Sequence, residues 1–85
     1  MYRFLMIEDD IQICEVVQDF FARESKETIQ VETAQDGELG LEKFYENEFD
    51  LVLLDIMLPG MNGLELCRYM RRRSVVPIVF LTAKD

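Results

Sequence analysis

Hydrophobic and polar positions follow two periodicities that alternate along the chain. Short apolar runs at 3–7, 51–54 and 75–81, and an alternating stretch at 29–34, predict four β-strands. Strict alternation is typical of a strand with one exposed face, so we expect 29–34 at an edge of the sheet. Between the strands, apolar residues recur every three or four positions, which predicts three amphipathic helices. The first helix would turn one apolar stripe to the core: Ile13, Val16, Val17, Phe20 and Phe21.

The predicted order of elements is βαβαβαβ within one small domain, residues 1–85. Strands that alternate with helices favour a parallel sheet with right-handed crossovers and helices on both faces. The third strand is a continuous apolar run, as in a strand buried on both faces. The carboxyl ends of all four strands would then lie along one edge, where open α/β sheets bind their ligands.

Acidic residues stand at this edge. Glu8 and Asp9 follow the first strand directly, and Asp55 ends the third. If those strands are neighbours, three carboxylates meet, and two charges about 5 Å apart repel by roughly 3 kcal/mol at an effective dielectric near 20. Such a cluster raises a pKa or binds a hard cation such as Mg²⁺. The alternative is helix caps and solvated loop acids, which we expect only for Asp10, just before the first helix.

Composition narrows the possible partners. The 85 residues contain 17 acidic and 9 basic side chains, a net charge of −8, which opposes non-specific binding to nucleic acid or anionic membrane. The arginines at 71–73 suit the carboxyl end of a helix better than a nucleic-acid patch. Cys14 and Cys67 fit buried free thiols in a reducing compartment. No apolar stretch approaches the length of a membrane span, so we expect a soluble, cytoplasmic protein.

Three separated motifs carry a specific resemblance. FLMIEDD at 4–10, DLVLLDIMLPGMNG at 50–63 and PIVFLTAKD at 77–85 resemble the receiver domain of two-component response regulators. The last two motifs look most like regulators whose output domain is a winged-helix DNA binder. The resemblance implies a flavodoxin-like doubly wound sheet of strand order 2-1-3-4. It also implies a signalling switch rather than an enzyme in the usual sense, although the domain contributes to its own phosphorylation and dephosphorylation.

The resemblance also implies roles for individual residues. Asp55 would accept a phosphoryl group from a partner histidine kinase. Mg²⁺ would be held by Glu8, Asp9 and Asp55, joined by the backbone carbonyl of Met57. Thr82 would be the switch hydroxyl that follows phosphorylation. The loop after the third strand would be shaped by three residues: Pro59, Gly60 and Gly63.

The sequence also departs from the family pattern. A full receiver has five strands and five helices, whereas this sequence ends just after the fourth strand, and Lys84 does not match the active-site lysine of the family. We therefore expect an incomplete sheet with an exposed fourth strand, low stability, and a dimer or domain swap at that edge. DNA would be reached only through an output domain. Two alternatives stay open: a receiver-like interaction module or inert fragment that does not cycle phosphate, and a phosphotransferase or hydrolase acting through Asp55. The second lacks a visible general acid or base, because the chain has no His.

Overall fold

The computed structural model describes residues 1–24 and 26–81 and confirms the predicted order of elements. The strands are β1 (Tyr2–Ile7), β2 (Ile29–Ala34), β3 (Leu51–Asp55) and β4 (Ile78–Leu81). The helices are α1 (Ile11–Glu24), α2 (Gly37–Glu46) and α3 (Gly63–Arg71). Among the described residues, no helix is long and apolar enough to cross a membrane.

The four strands form one parallel sheet in the order β2-β1-β3-β4, as predicted. β1 lies between β2 and β3, so that Ile7 is in register with Ala34 on one side and Leu54 on the other. β2 is an edge strand, as its alternating pattern indicated. The carboxyl ends of β1 and β3 are therefore neighbours.

Apolar side chains fill both faces of the sheet. On one face, α2 and α3 cover the strands with a core of Leu5, Ile7, Ala34, Phe44, Val52, Leu54, Leu66, Met70 and Val76. On the other face α1 supplies the cover, and the buried residues are Met6, Cys14 and Leu53. Helices on both faces are what a parallel sheet with right-handed crossovers requires.

The predicted apolar stripe of α1 is wrong for three of its five residues. Ile13, Val16 and Phe20 are 43%, 67% and 56% exposed, whereas Val17 and Phe21 pack beside the buried Cys14. The helix packs chiefly against β2, and Phe21 meets the Phe4 ring edge-on, with 5.2 Å between the ring centroids. The apolar arc of α1 is wider than this contact, so part of it lies on the surface.

The fourth strand is shorter than its apolar run. Residues 75–77 lie outside β4, and the Val75 side chain is 94% exposed. Pro77 has no N–H to donate to a neighbouring strand. The Arg71 guanidinium donates to the Val76 carbonyl, and the Val76 N–H donates to the Ser74 hydroxyl at 3.0 Å. These bonds hold the segment as a loop.

Candidate functional site

The carboxylates of Glu8, Asp9 and Asp55 meet at the carboxyl edge of the sheet. One carboxylate oxygen from each lies within 4.8 Å of the other two. Their proximity follows from the pairing of β1 with β3, which ends both strands at the same level. The prediction that these three acids come together is therefore confirmed.

Two of the three acids are buried. Glu8 is 6% and Asp55 is 7% exposed, whereas Asp9 is on the surface. One Asp55 oxygen accepts a hydrogen bond from the Met57 N–H at 3.2 Å, and one Glu8 oxygen accepts from the Asp10 N–H at 3.1 Å. No Lys or Arg forms an ion pair with the cluster in the part of the chain that the structure describes. The negative charge is thus concentrated without a cationic side chain beside it.

This environment changes the acidity of Glu8. Burial raises the pKa of the Glu8 carboxyl from its ordinary value of 4.5 to about 7. The hydrogen bond with the Asp9 carboxyl and the charges of Asp9 and Asp55 act in the same direction, and the Asp10 N–H opposes them. Ionising Glu8 beside two other carboxyl groups therefore costs free energy. A bound cation would offset this cost.

The donor set fits a hard cation. Three carboxylate oxygens are ligands of the kind that Mg²⁺ and Ca²⁺ prefer. Their 4.8 Å span is slightly wider than the distance of about 4 Å between opposite ligands of Mg²⁺, which binds oxygen at about 2.0–2.1 Å. Asp9 is exposed, so its side chain has room to adjust to a bound ion. The chemistry and the geometry both suit Mg²⁺.

Asp10 lies outside the cluster, as expected. Its carboxylate accepts hydrogen bonds from the N–H groups of Gln12 at 3.0 Å and Ile13 at 3.3 Å. These are among the donors that a helix leaves unpaired at its start, so Asp10 is the N-cap of α1.

The loop after Asp55 returns directly to the strand end. Gly60 has a φ of +82°, in the left-handed region that favours glycine. The Gly63 N–H donates to the Ile56 carbonyl at 2.8 Å, and a Cβ added at Gly63 would lie 2.3 Å from the Asp55 carbonyl oxygen. Only glycine allows this approach. Asn62 caps α3 by accepting from the Leu64 N–H at 2.6 Å.

The same loop forms one wall of a cleft beside the acids. The cleft is lined by Asp9, Ile56, Met57, Leu58, Pro59, Gly60 and Asn62. The Met57 side chain is 65% exposed, and its N–H is bonded to Asp55. A metal-binding role for the Met57 carbonyl stays a prediction. Thr82 and Lys84 lie outside the described residues, so the switch role of Thr82 also stays a prediction.

Two residues support the site in ways that the sequence did not predict. The buried Cys14 thiol donates to the Glu8 carbonyl at 3.5 Å, and burial raises its pKa, which keeps it protonated. A Cβ at Gly40 would lie 2.5 Å from the Ile7 side chain, so α2 approaches the end of β1 closely. A glycine inside an amphipathic helix was the available signal for that approach, whereas Cys14 gave none beyond its apolar position.

Known sequences match this chain over nearly all of its length. Residues 4–85 match the response regulator receiver domain family. The chain is 46% identical to the uncharacterized transcriptional regulatory protein YclJ of Bacillus subtilis over 98% of its own length and 35% of that protein. It is 48% identical to the regulatory protein VanRB of Enterococcus faecalis over 95% of its length and 36% of that protein. The chain thus spans little more than a third of these relatives.

Solved structures of response regulators share the fold of this chain. The response regulator TrrA of Thermotoga maritima, in complex with Mg²⁺ and BeF, superposes with a TM-score of 0.88 at 35% identity, covering 100% of this chain and 72% of that one. A structure of TrrA with the histidine kinase ThkA gives a TM-score of 0.87 with the same identity and coverage. A CheY-like receiver of Methanospirillum hungatei gives 0.89 at 29% identity, covering 100% and 66%. On its sequence, its fold and its edge of clustered acids, this chain belongs to the response regulator receiver domain family.

Proposed function

We propose that Asp55 accepts a phosphoryl group from a phosphohistidine of a sensor histidine kinase. The observation that carries the proposal is the cluster itself, which places a buried carboxylate at the end of a central strand beside two further acids. The solved complex of TrrA with a histidine kinase supports a kinase as the donor.

In the proposed reaction an Asp55 oxygen attacks phosphorus. A P–O bond to Asp55 forms, the P–N bond to the donor histidine breaks, and the electron pair of that bond stays on the histidine nitrogen. The Met57 N–H holds the other Asp55 oxygen and so fixes the orientation of the carboxylate. Phosphoryl transfer depends mainly on such positioning and on neutralisation of charge.

We propose Mg²⁺ as the cofactor, held by Glu8, Asp9, Asp55 and the Met57 carbonyl. When bound, it offsets the repulsion between a carboxylate nucleophile and an anionic phosphoryl group. The Mg²⁺ in the related TrrA structure supports this choice. The buried Glu8 and Asp55 would supply the inner ligands, and the exposed Asp9 would supply the ligand on the solvent side.

We further propose a cytoplasmic regulator in which Thr82 changes position on phosphorylation and an output domain acts on DNA. The names of YclJ and VanRB, a transcriptional regulatory and a regulatory protein, support this role. In this arrangement the receiver is a switch, and contacts with DNA belong to the output domain.

Incubation with acetyl phosphate and Mg²⁺, followed by intact-mass measurement, tests the proposal. We expect one phosphoryl adduct on the protein, none on Asp55→Asn, and none in EDTA. Asp10→Asn is the matched control, because Asp10 lies next to the cluster and caps α1; it should retain the adduct. An adduct that survives in Asp55→Asn would overturn the assignment. No adduct on the intact, folded protein would favour the receiver-like interaction module.

A further inference from the structure

The carboxyl end of α3 carries a surface of exposed arginines and tyrosines. Four of the nine basic residues of the chain fall within 68–73. The Arg71 guanidinium donates a hydrogen bond to the Val76 carbonyl. The other three arginines are exposed. We call the following set the arginine surface: Arg68, Tyr69, Arg72 and Arg73 with the neighbouring Tyr45 of α2.

Aromatic rings hold two of these guanidinium groups. The Arg73 guanidinium carbon lies 4.2 Å from the centroid of the Tyr45 ring, and that of Arg72 lies 5.2 Å from Tyr69. Stacking restricts the side chains before any partner arrives, which lowers the entropy lost on binding. Tyr69 and Tyr45 are 41% and 42% exposed. Arg and Tyr are enriched among the residues that dominate protein–protein interfaces.

None of these arginines forms an ion pair within residues 1–24 and 26–81. The ion pairs there are Arg3–Glu32 and Arg23–Asp19. In a chain with 17 acids, three exposed cations at one place have no carboxylate partner in the described structure. They are available to a carboxylate from another molecule.

The complementary charge is on the adjacent helix. Glu38, Glu42 and Glu46 of α2 are spaced by four residues and all exposed, so they form one acidic row. Like charges at this spacing destabilise an isolated helix slightly. The described residues provide no ion-pair partner for this row. An arginine surface and an acidic row thus lie side by side on one face.

We propose that this face binds a second copy of the chain in a two-fold dimer. α2 and α3 pack together over the same core, and both run antiparallel to the strands, hence parallel to each other. A two-fold axis parallel to the helices, passing between them, lays each α2 on the α3 of the partner. The acidic row of each copy then faces the arginine surface of the other copy. Such a two-fold contact gives a closed dimer.

The charge distribution favours this partner over nucleic acid. The acidic row beside the arginines repels a phosphate backbone. A two-fold contact satisfies both charge sets at once, and both are at the surface. The inference is independent of phosphorylation, because it uses none of the residues at the carboxyl edge.

Sedimentation velocity with charge reversal tests the dimer. We expect association of the purified protein at low salt that weakens as NaCl screens the contact. The double variant Arg68→Glu, Arg72→Glu should weaken it about tenfold or more, as should Glu42→Lys, Glu46→Lys. An equimolar mixture of the two variants should associate again, because each contact in the mixed dimer regains opposite charges. The double variant Arg23→Glu, Lys26→Glu makes an equal change of charge at and just after the end of α1; it is the matched control and should have no effect.

Three results would overturn the dimer. They are a monomer at all concentrations and salt levels, charge-reversal variants that associate as strongly as the unmodified protein, and a mixture of variants that stays monomeric. Binding of a labelled DNA duplex that is lost in Arg68→Glu, Arg72→Glu, with no self-association, would assign the surface to nucleic acid instead. Urea midpoints establish that the variants are folded. If a variant does not fold, the test rests on the unmodified protein. Association that does not weaken as NaCl is added would then overturn the dimer.

Discussion

Glu8 shows at the scale of one residue how burial and neighbouring charge act on a carboxyl group. It directly follows β1 and is 6% exposed, with Asp9 and Asp55 close by. The sequence predicted this neighbourhood because Glu8 directly follows an apolar run. It could not predict which of the three acids would have the raised pKa, because that depends on which side chain the loop buries.

The raised pKa of Glu8 makes stability depend on pH. Between pH 4.5 and 7 the folded protein binds more protons at Glu8 than the unfolded chain does. The free energy of unfolding without metal should therefore fall as pH rises through this window, by up to about 3 kcal/mol, and level off above it. Urea titrations in EDTA at several pH values measure this. Glu8→Gln should flatten the profile, and Asp10→Asn should leave it unchanged. Identical profiles for the protein and Glu8→Gln would contradict the assignment.

Gly63 is required by contact rather than by an unusual φ. Gly63→Ala places a Cβ 2.3 Å from the Asp55 carbonyl oxygen, so the strand end or α3 must shift. We expect a loss of about 1–3 kcal/mol in the free energy of unfolding, comparable to overpacking a core. Urea denaturation measures it.

Gly60→Ala is the matched control for Gly63→Ala. It introduces the same methyl group where nothing lies within 4 Å, and its cost is only the left-handed φ, about 1–2 kcal/mol. Gly63→Ala should also slow phosphorylation of Asp55, because the displaced carbonyl belongs to that residue. A Gly63→Ala protein of normal stability and normal phosphorylation rate would refute the steric argument.

At the scale of elements, Arg71 decides where β4 begins. The apolar run at 75–81 predicted a longer strand, but the Arg71 guanidinium on the Val76 carbonyl holds the preceding residues as a loop. The sequence could not show this bond. An arginine in the last turn of a helix is equally compatible with solvent exposure and the helix dipole.

Arg71→Ala should destabilise the protein by about 1–2 kcal/mol, because the half-buried Val76 carbonyl loses its charged donor. Thermal or urea unfolding measures the change. Arg68→Ala, three residues earlier and exposed, removes the same side chain without a buried acceptor and should change stability by less than about 0.5 kcal/mol. Equal effects of the two substitutions would mean that the loop bond contributes nothing.

α1 shows the limit of periodicity as a predictor. Its helical pattern was identified correctly, but the pattern does not report how much of the apolar arc a neighbour covers. Cys14 is the most buried residue of the helix, although the predicted stripe did not include it and did include the exposed Ile13, Val16 and Phe20. Packing against β2 rather than the middle of the sheet decides the orientation.

At the scale of the whole molecule, the topology of the sheet is what allowed the site to be predicted from the sequence. Alternating strands and helices imply a parallel sheet, and acids after two strands then converge if those strands are neighbours. The order 2-1-3-4 came from the family resemblance, and the structure confirms it. The arginine surface was not predicted, because it depends on the side-by-side packing of α2 and α3, which places Arg73 over Tyr45.

Mg²⁺ should stabilise the whole domain beyond its effect as a salt. NaCl screens the repulsion within a chain of charge −8 and should raise the melting temperature. MgCl₂ at matched ionic strength should raise it further, since binding to the folded state adds linkage energy. The additional increase should disappear in Asp9→Asn and Asp55→Asn but persist in Asp10→Asn. An increase equal to that in NaCl would argue against a specific site.

The placement of charge also gives the molecule an electric dipole. α3 begins beside Asp55 at Gly63 and ends eight residues later at Arg71, about 12 Å away at 1.5 Å per residue. Within residues 1–24 and 26–81, the carboxylates at one end of this helix form no ion pair, and neither do the guanidinium groups at the other end. In the field of a charged partner, the molecule would rotate its acidic edge toward positive potential before contact. Productive first encounters with a basic surface should therefore be more frequent than random collision allows, an advantage that added salt removes.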